Sequence, residues 1–414
     1  MRVFSRSTSL KDHDRLYIAR GPGEAAPLRP PIAIITENFP PCSGGGIAEW
    51  AYGLAQNLPR FGFEVTVLSR WKKGADLATH VGEPFSLWPM KGHDWRRYRL
   101  WYSLYHLTRW ARRYPAGVLV ATTWELAQSA ALIKRHYPIK LVVLLHGLEV
   151  SRLKGKRQSN KLGRVLHQAD VVVAVSRFTR QQILGRVSLP PERVRVIAPG
   201  VDPVRFCRDE HADELRARWG LQRGQPILLT LARVIPRKGH DTVIRCLPSV
   251  VREFPQARYV IAGPWRDSVY RRLRQMAADL DLTDRVIFTG FVDQQSLSKW
   301  YSLADIYIMV SRESEDGADT EGFGITFLEA GACETPVIGS RSGGIPDAVE
   351  HGHTGFLVQP DDPDELSSRI RYLLGNPHLA REMGKNGRKR VQEGYTWPSV
   401  TERLVGEIET CLDG

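Results

Sequence analysis

The sequence predicts an α/β fold in two halves, each a parallel sheet covered by helices on both faces. Three observations lead there. Short apolar runs rich in β-branched residues alternate with helical stretches. The alternation stops once and restarts after VRVIAPGVDPVRF. No apolar run approaches the roughly 20 residues that a bilayer span requires. In order, PIAIITENFPP reads as a strand, and CSGGGIAEWAYGLAQNLPRFG as a glycine-rich turn and a helix ending at Gly62. FEVTVLSR, GVLVATT, IKLVVLLHG and ADVVVAVS are further strands. Beyond residue 210, QPILLTLARV, ARYVIAGP, DRVIFTGFV, ADIYIMVS, TPVIGS and GFLV supply six more. The expected organisation is a polar tail (1–30), a first domain (31–205), a second domain (206–385) and a helical C-terminal segment (386–414) crossing back to the first.

The net charge of +13 over 414 residues asks for an acidic partner: nucleic acid, an anionic membrane face or a phosphorylated small molecule. Zinc-ligand spacing, ribonucleoprotein aromatics and basic-zipper heptads are all missing, which sets nucleic acid aside. The five cysteines are scattered with no C-x-x-C pair, the pattern of a reducing compartment rather than a disulfide frame. The Arg- and Pro-rich leader has no apolar signal core, so the expected location is the cytoplasm, or the inner face of the cytoplasmic membrane if the chain is peripheral.

In open parallel sheets, ligands collect at the carboxyl ends of the strands. ARVIPRKGH follows such an end and places Arg233 and Lys238 in a loop before a helix. Two cations there suit a diphosphate, although a solvated basic loop has the same composition. Downstream, EGFGITFLEAGA predicts a helix starting near Gly324 and running through Cys333. Its first amides would face a phosphate, while Glu329, more than a turn inside, could reach a ribose diol. Glu321, just before the helix, could meet hydroxyls on the other side. The pair fits a ribose–diphosphate–sugar ligand.

Glu321 and Glu329 flanking GFGITFL, with Arg233 and Lys238 upstream, resemble the family-4 glycosyltransferases of the GT-B fold, two Rossmann-like domains facing across a cleft. HGLEV (His146–Val150), VSRFT, APGVD, GPW, RVIFTGFV, TPVIGSRSGGIPDAV and HGHTGFLV follow in the family's order, so the resemblance covers about residues 31–410. It implies a retaining hexosyltransferase that needs no metal or other cofactor for chemistry. By the same resemblance, Arg233 and Lys238 hold the leaving diphosphate, Glu329 binds the ribose and Glu321 contacts the sugar. His146 lies beside the sugar, and the amides of Phe323, Gly324 and Ile325 address sugar and phosphate. The turn at Gly44–Gly46 approaches the diphosphate, with Gly45 and Gly46 as donor contacts, Gly263 of GPW belongs to the donor site, and Phe291 and Val292 line the base pocket. No D-x-D signature ends a strand convincingly; DDPD (Asp361–Asp364) reads as a helix N-cap. Ala232 stands where glycine is common, and Pro199 where asparagine is frequent.

ADTEGFGI and RSGGIPDAV are most similar to members using GDP-mannose on lipid-linked acceptors, as in the phosphatidylinositol-mannoside type. UDP-glucose and UDP-N-acetylhexosamine users share most of these residues and stay open. An inactive nucleotide-sugar-binding protein is the alternative from another class; a Rossmann oxidoreductase would need a G-x-G-x-x-G fingerprint that is not present. The acceptor expectation rests on HDWRRYRLWYSLYHLTRWARRYP. Trp95, Trp101, Arg96, Arg97 and Arg109 would meet an acceptor or an anionic membrane surface, with Trp101, Leu104 and Tyr105 on one side. A core-facing amphipathic helix with solvated arginines is the other reading.

Overall fold

The computed structural model describes residues 29–42, 44–71, 80–91, 95–314 and 317–413, apart from the side chain of Arg96. The expected tail thus lies almost wholly outside the described residues, as do two positions of the acidic loop before Gly317. Two parallel sheets carry the chain. The first runs β1 (Ile32–Thr36), β2 (Val65–Arg70), β3 (Ser86–Met90), β4 (Val118–Ala121), β5 (Lys140–Leu145), β6 (Val171–Ala174) and β7 (Val194–Val196). Its spatial order is β3-β2-β1-β4-β5-β6-β7. The second contains β8 (Ile227–Leu231), β9 (Arg258–Ala262), β10 (Val286–Gly290), β11 (Ile306–Met309), β12 (Val337–Ser340) and β13 (Gly355–Val358), ordered β10-β9-β8-β11-β12-β13.

Central strands such as β1, β4 and β12 are buried at every position, which is why they read as continuous apolar runs. The two strands that the sequence reading missed, β3 and β7, are sheet edges. Mostly half-buried, β3 carries Pro89, and β7 has only three residues with two exposed. Edge strands need neither a long apolar run nor full pairing, so their signal is weak.

Each sheet reverses strand order once, between β1 and β4 and between β8 and β11, so the loops after these strands face the crevice between the domains. The helix Trp397–Asp413 returns to the first domain. The Trp397 ring lies 5.7 Å from Trp50, and a Cβ on Gly53 or Gly200 would sit 2.2 or 2.8 Å from it. Glycine at those two positions is what lets the return helix dock. Asp362 caps the helix Pro363–Gly375 by accepting from the amides of Asp364 and Glu365, so DDPD is a cap.

Candidate active site

The loop after β8 folds as a tight turn over Pro236–Lys238 and ends at Gly239 with φ +75°. That turn sends Arg237 and Lys238 inward and leaves Arg233 exposed, with no ion pair among the described residues. From the loop after β11 comes Glu321. It accepts from Lys238 Nζ at 2.6 Å and from Arg237 Nη1 at 2.5 Å. Residues expected on the diphosphate and on the sugar therefore touch each other. A buried ammonium needs an anion beside it, and Glu321 is that anion. Burial opposes the charge on Glu321, but Lys238 and Arg237 outweigh it and hold its pKa at about 2. On the Lys238 ammonium, burial and the neighbouring arginines win over Glu321, so its pKa is lowered. Sequence reasoning missed Arg237; its only signal was being a second basic residue beside Lys238 in PRKG.

Glu321 continues into Gly322, Phe323 and the helix Ile325–Ala332, whose N-cap is Gly324 at φ +93°. At the start of this helix the Phe327 amide donates to the Gly324 carbonyl oxygen at 3.0 Å, and the amides before it have no acceptor one turn back within the helix. Phe323 is buried against Tyr395, and Ile325 is half-buried. Glu329 is 8% exposed and accepts from the Tyr301 hydroxyl at 2.6 Å. Desolvation raises its pKa to about 7, with the Tyr301 hydrogen bond pulling the other way and the charge of Glu49 adding to the rise. Glu49 belongs to the helix Gly46–Asn57 of the first domain and lies 3.7 Å from Arg205, which also bonds Gln294. Tyr301, Glu49 and Arg205 were not picked out from the sequence.

The glycine turn that opens the helix Gly46–Asn57 is uncrowded: a Cβ on Gly45 or Gly46 would meet nothing within 4 Å. Space for a ligand is left there. Gly263 answers a different demand, since a Cβ on it would lie 2.0 Å from the Ala232 carbonyl oxygen. It lets the ends of β8 and β9 close up. Phe291 is 77% exposed on the strand-end loop after β10, beside half-buried Val292.

His146 ends β5. Its Nε2 lies 3.0 Å from the Thr122 carbonyl oxygen, which can only accept, so Nε2 carries the proton and Nδ1 keeps its lone pair. Burial lowers the His146 pKa to about 4, keeping the ring neutral. The backbone amide of His146 bonds Glu149, whose pKa burial raises to about 7.

The expected basic aromatic helix is Trp95–Arg113, and the structure divides it. Trp101 and Tyr105 are 67% and 59% exposed, with Arg97 and Arg109 also outside and the Arg109 guanidinium 5.2 Å over Trp88. Trp95, expected on the interacting face, is instead buried at 3% against Tyr102, and Leu104 packs towards the core. A helix on a sheet must bury one stripe, and those residues face inward. The Arg96 side chain lies outside the described residues. Among the described residues, no helix is long and apolar enough to cross a membrane, and no three His, Cys, Asp or Glu cluster as a metal site.

Two family models match: Glycosyltransferase Family 4 over residues 44–205 and Glycosyl transferases group 1 over residues 211–390. A GDP-mannose-dependent alpha-(1-6)-phosphatidylinositol monomannoside mannosyltransferase of Mycolicibacterium smegmatis is 34% identical over 294 residues. The match spans 69% of this chain and 75% of that one. A relative in Corynebacterium glutamicum, acting on the monoacylated form, is 33% identical over 290 residues, 69% of this chain and 74% of its own. Among solved structures, the sucrose-phosphate synthase of Thermosynechococcus elongatus superposes with a TM-score of 0.79 at 23% identity. It covers 93% of this chain and 100% of its own.

Proposed function

The chain belongs to the glycosyltransferase family of those two models and is a hexosyltransferase with the GT-B fold, and from that premise we propose that it transfers mannose from GDP-mannose to a lipid-linked or glycan-precursor acceptor in cell-envelope synthesis. The observation that carries the donor part is exposed Arg233, with no ion pair among the described residues, and buried Lys238 at one strand end, set beside the amide-rich start of helix Ile325–Ala332. Named relatives supply the mannose and the lipid acceptor.

In this reading the diphosphate lies between the Arg233–Lys238 loop and the first-turn amides. The bond from the anomeric carbon to the diphosphate oxygen breaks as the acceptor oxygen bonds to that carbon from the same face. The acceptor's proton passes to the departing diphosphate. Same-face attack retains the anomeric configuration, and Arg233 and Lys238 stabilise the growing negative charge in place of a metal. Glu329 holds the ribose diol; Glu321 and neutral His146 meet the sugar. The amides of Phe323, Gly324 and Ile325, the open turn at Gly45 and Gly46, and the loop at Phe291 and Val292 complete the donor pocket.

Nucleotide release from GDP-mannose, UDP-glucose, UDP-galactose and UDP-N-acetylglucosamine tests the assignment. GDP-mannose should be used best, with chelator leaving the rate unchanged. Preference for a UDP-sugar would move the donor to the second reading, and binding without turnover would make the chain an inactive nucleotide-sugar-binding protein. The exposed side of helix Trp95–Arg113 supports peripheral membrane contact through Trp101, Tyr105, Arg97 and Arg109. Failure to float with anionic liposomes at low salt refutes that part.

A further inference from the structure

The loop carrying Glu321 is gripped from both domains. On its own side, Glu321 accepts from Arg237 and Lys238, and its carbonyl oxygen accepts from the Gly344 amide at 2.8 Å. From the first domain, Ser151 Oγ donates to the Ala318 carbonyl oxygen at 2.9 Å. Arg152 reaches Asp319 at 3.2 Å, and a Cβ on Gly322 would lie 1.9 Å from the His146 carbonyl oxygen. Arg177 pairs with Asp347 at a second crossing point just beyond Gly344.

Arg237 stands at the centre of these contacts. Its Nη1 donates to Glu321, and its Nε lies 3.1 Å from Asp319, an ion-pair contact. One guanidinium therefore serves two carboxylates. Asp319 has a second cation only where the first domain sits close enough for Arg152 to reach it. Removing Arg152 would leave Arg237 as the one cation paired with Asp319 among the described residues, so Asp319 would compete with Glu321 for it. With Arg152 in place, Asp319 shares its charge between two guanidiniums while Arg237 also donates to Glu321.

We infer that Arg237 and Asp319 form a positioning relay, through which the seating of Arg152 from the first domain fixes the Glu321 carboxylate. The relay rests on the reading of Glu321 as a donor contact and makes its placement depend on a residue of the first domain. Arg152 and Asp319 are partly exposed, so their pair adds little to stability; its effect is on where Arg237 points.

The test uses the full chain and whichever of the four donors it turns over. Arg152→Ala should lower kcat about three- to ten-fold while affinity for the matching nucleoside diphosphate stays within about two-fold. Arg152→Lys should restore most of the rate. Adding Asp319→Asn to Arg152→Ala should also restore it, because the competitor for Arg237 is gone. A double variant as slow as Arg152→Ala alone would mean that Arg152 merely clamps the domains, and would overturn the relay. So would Arg152→Ala at the parent rate. Glu321→Ala separates the two levels: if it keeps turnover, the donor-site reading itself fails, whereas its inactivity beside an additive Arg152 and Asp319 pair sinks the relay alone.

Discussion

Glu321 and Glu329 lie on the same short stretch, both beside the crevice, and their surroundings drive them in opposite directions. Glu321 has two cations within hydrogen-bonding distance and is held at about 2; Glu329 has a phenol as its nearest partner and is pushed to about 7. Burial acts on both. What separates them is that the turn after β8 brings two cations beside Glu321, whereas the helix Leu297–Leu303 brings only a neutral phenol beside Glu329. A buried carboxylate is therefore a fixed anion or a titrating group according to its neighbours rather than its position on the chain.

The contrast can be broken most severely at Lys238. Lys238→Ala leaves Glu321 with Arg237 alone, and a cost of about 2 kcal/mol in stability follows, since a buried carboxylate then has one cation instead of two. Turnover should fall with it, and Lys238→Met with Glu321→Gln should regain the melting temperature but not the activity. If the single variant melts like the parent, the pair is not buried as described. Next in size, Glu321→Ala should cost about 2 kcal/mol of transition-state stabilisation, read as a drop in kcat/KM.

Glu329 gives a smaller effect that depends on pH. Its raised pKa means that the folded state keeps a proton that the unfolded chain releases above the ordinary carboxylate pKa. Its contribution to stability is thus full below that ordinary value and declines until the pH reaches about 7. Nucleoside diphosphate binding should tighten from about pH 6 to about pH 8 as the carboxylate forms, and titration calorimetry on Glu329→Gln should show the slope flattened. The smallest change is Tyr301→Phe, which removes the hydrogen bond to Glu329. It should move the binding transition to higher pH and cost about 1 kcal/mol in thermal stability. An unmoved transition would mean that Tyr301 does not set the Glu329 pKa.

Much of the arrangement was legible in the chain. All eleven strands read from apolar runs are present, because buried parallel strands are apolar along their whole length. Gly324 as the start of a helix, and Glu329 more than a turn inside it, followed from local sequence alone. The edge strands β3 and β7 did not, since an edge needs little apolar surface. Arg237 was hidden because its partners, Glu321 and Asp319, are over eighty residues away. Trp95 and Trp101 share one helix and one residue type, yet only the sheet beneath decided which would be buried.

By itself the sequence determined the alternation of strands and helices, the restart near residue 200 and the identities of the charged and glycine residues at the strand ends. These are local properties, set by periodicity and backbone permissiveness. Only the tertiary structure decided that Lys238 meets Glu321, that Tyr301 meets Glu329, and that Arg152 reaches across to Asp319. Charges act through space at a few ångströms, and those separations exist only once the strand order places β11 beside β8 and the two domains face each other.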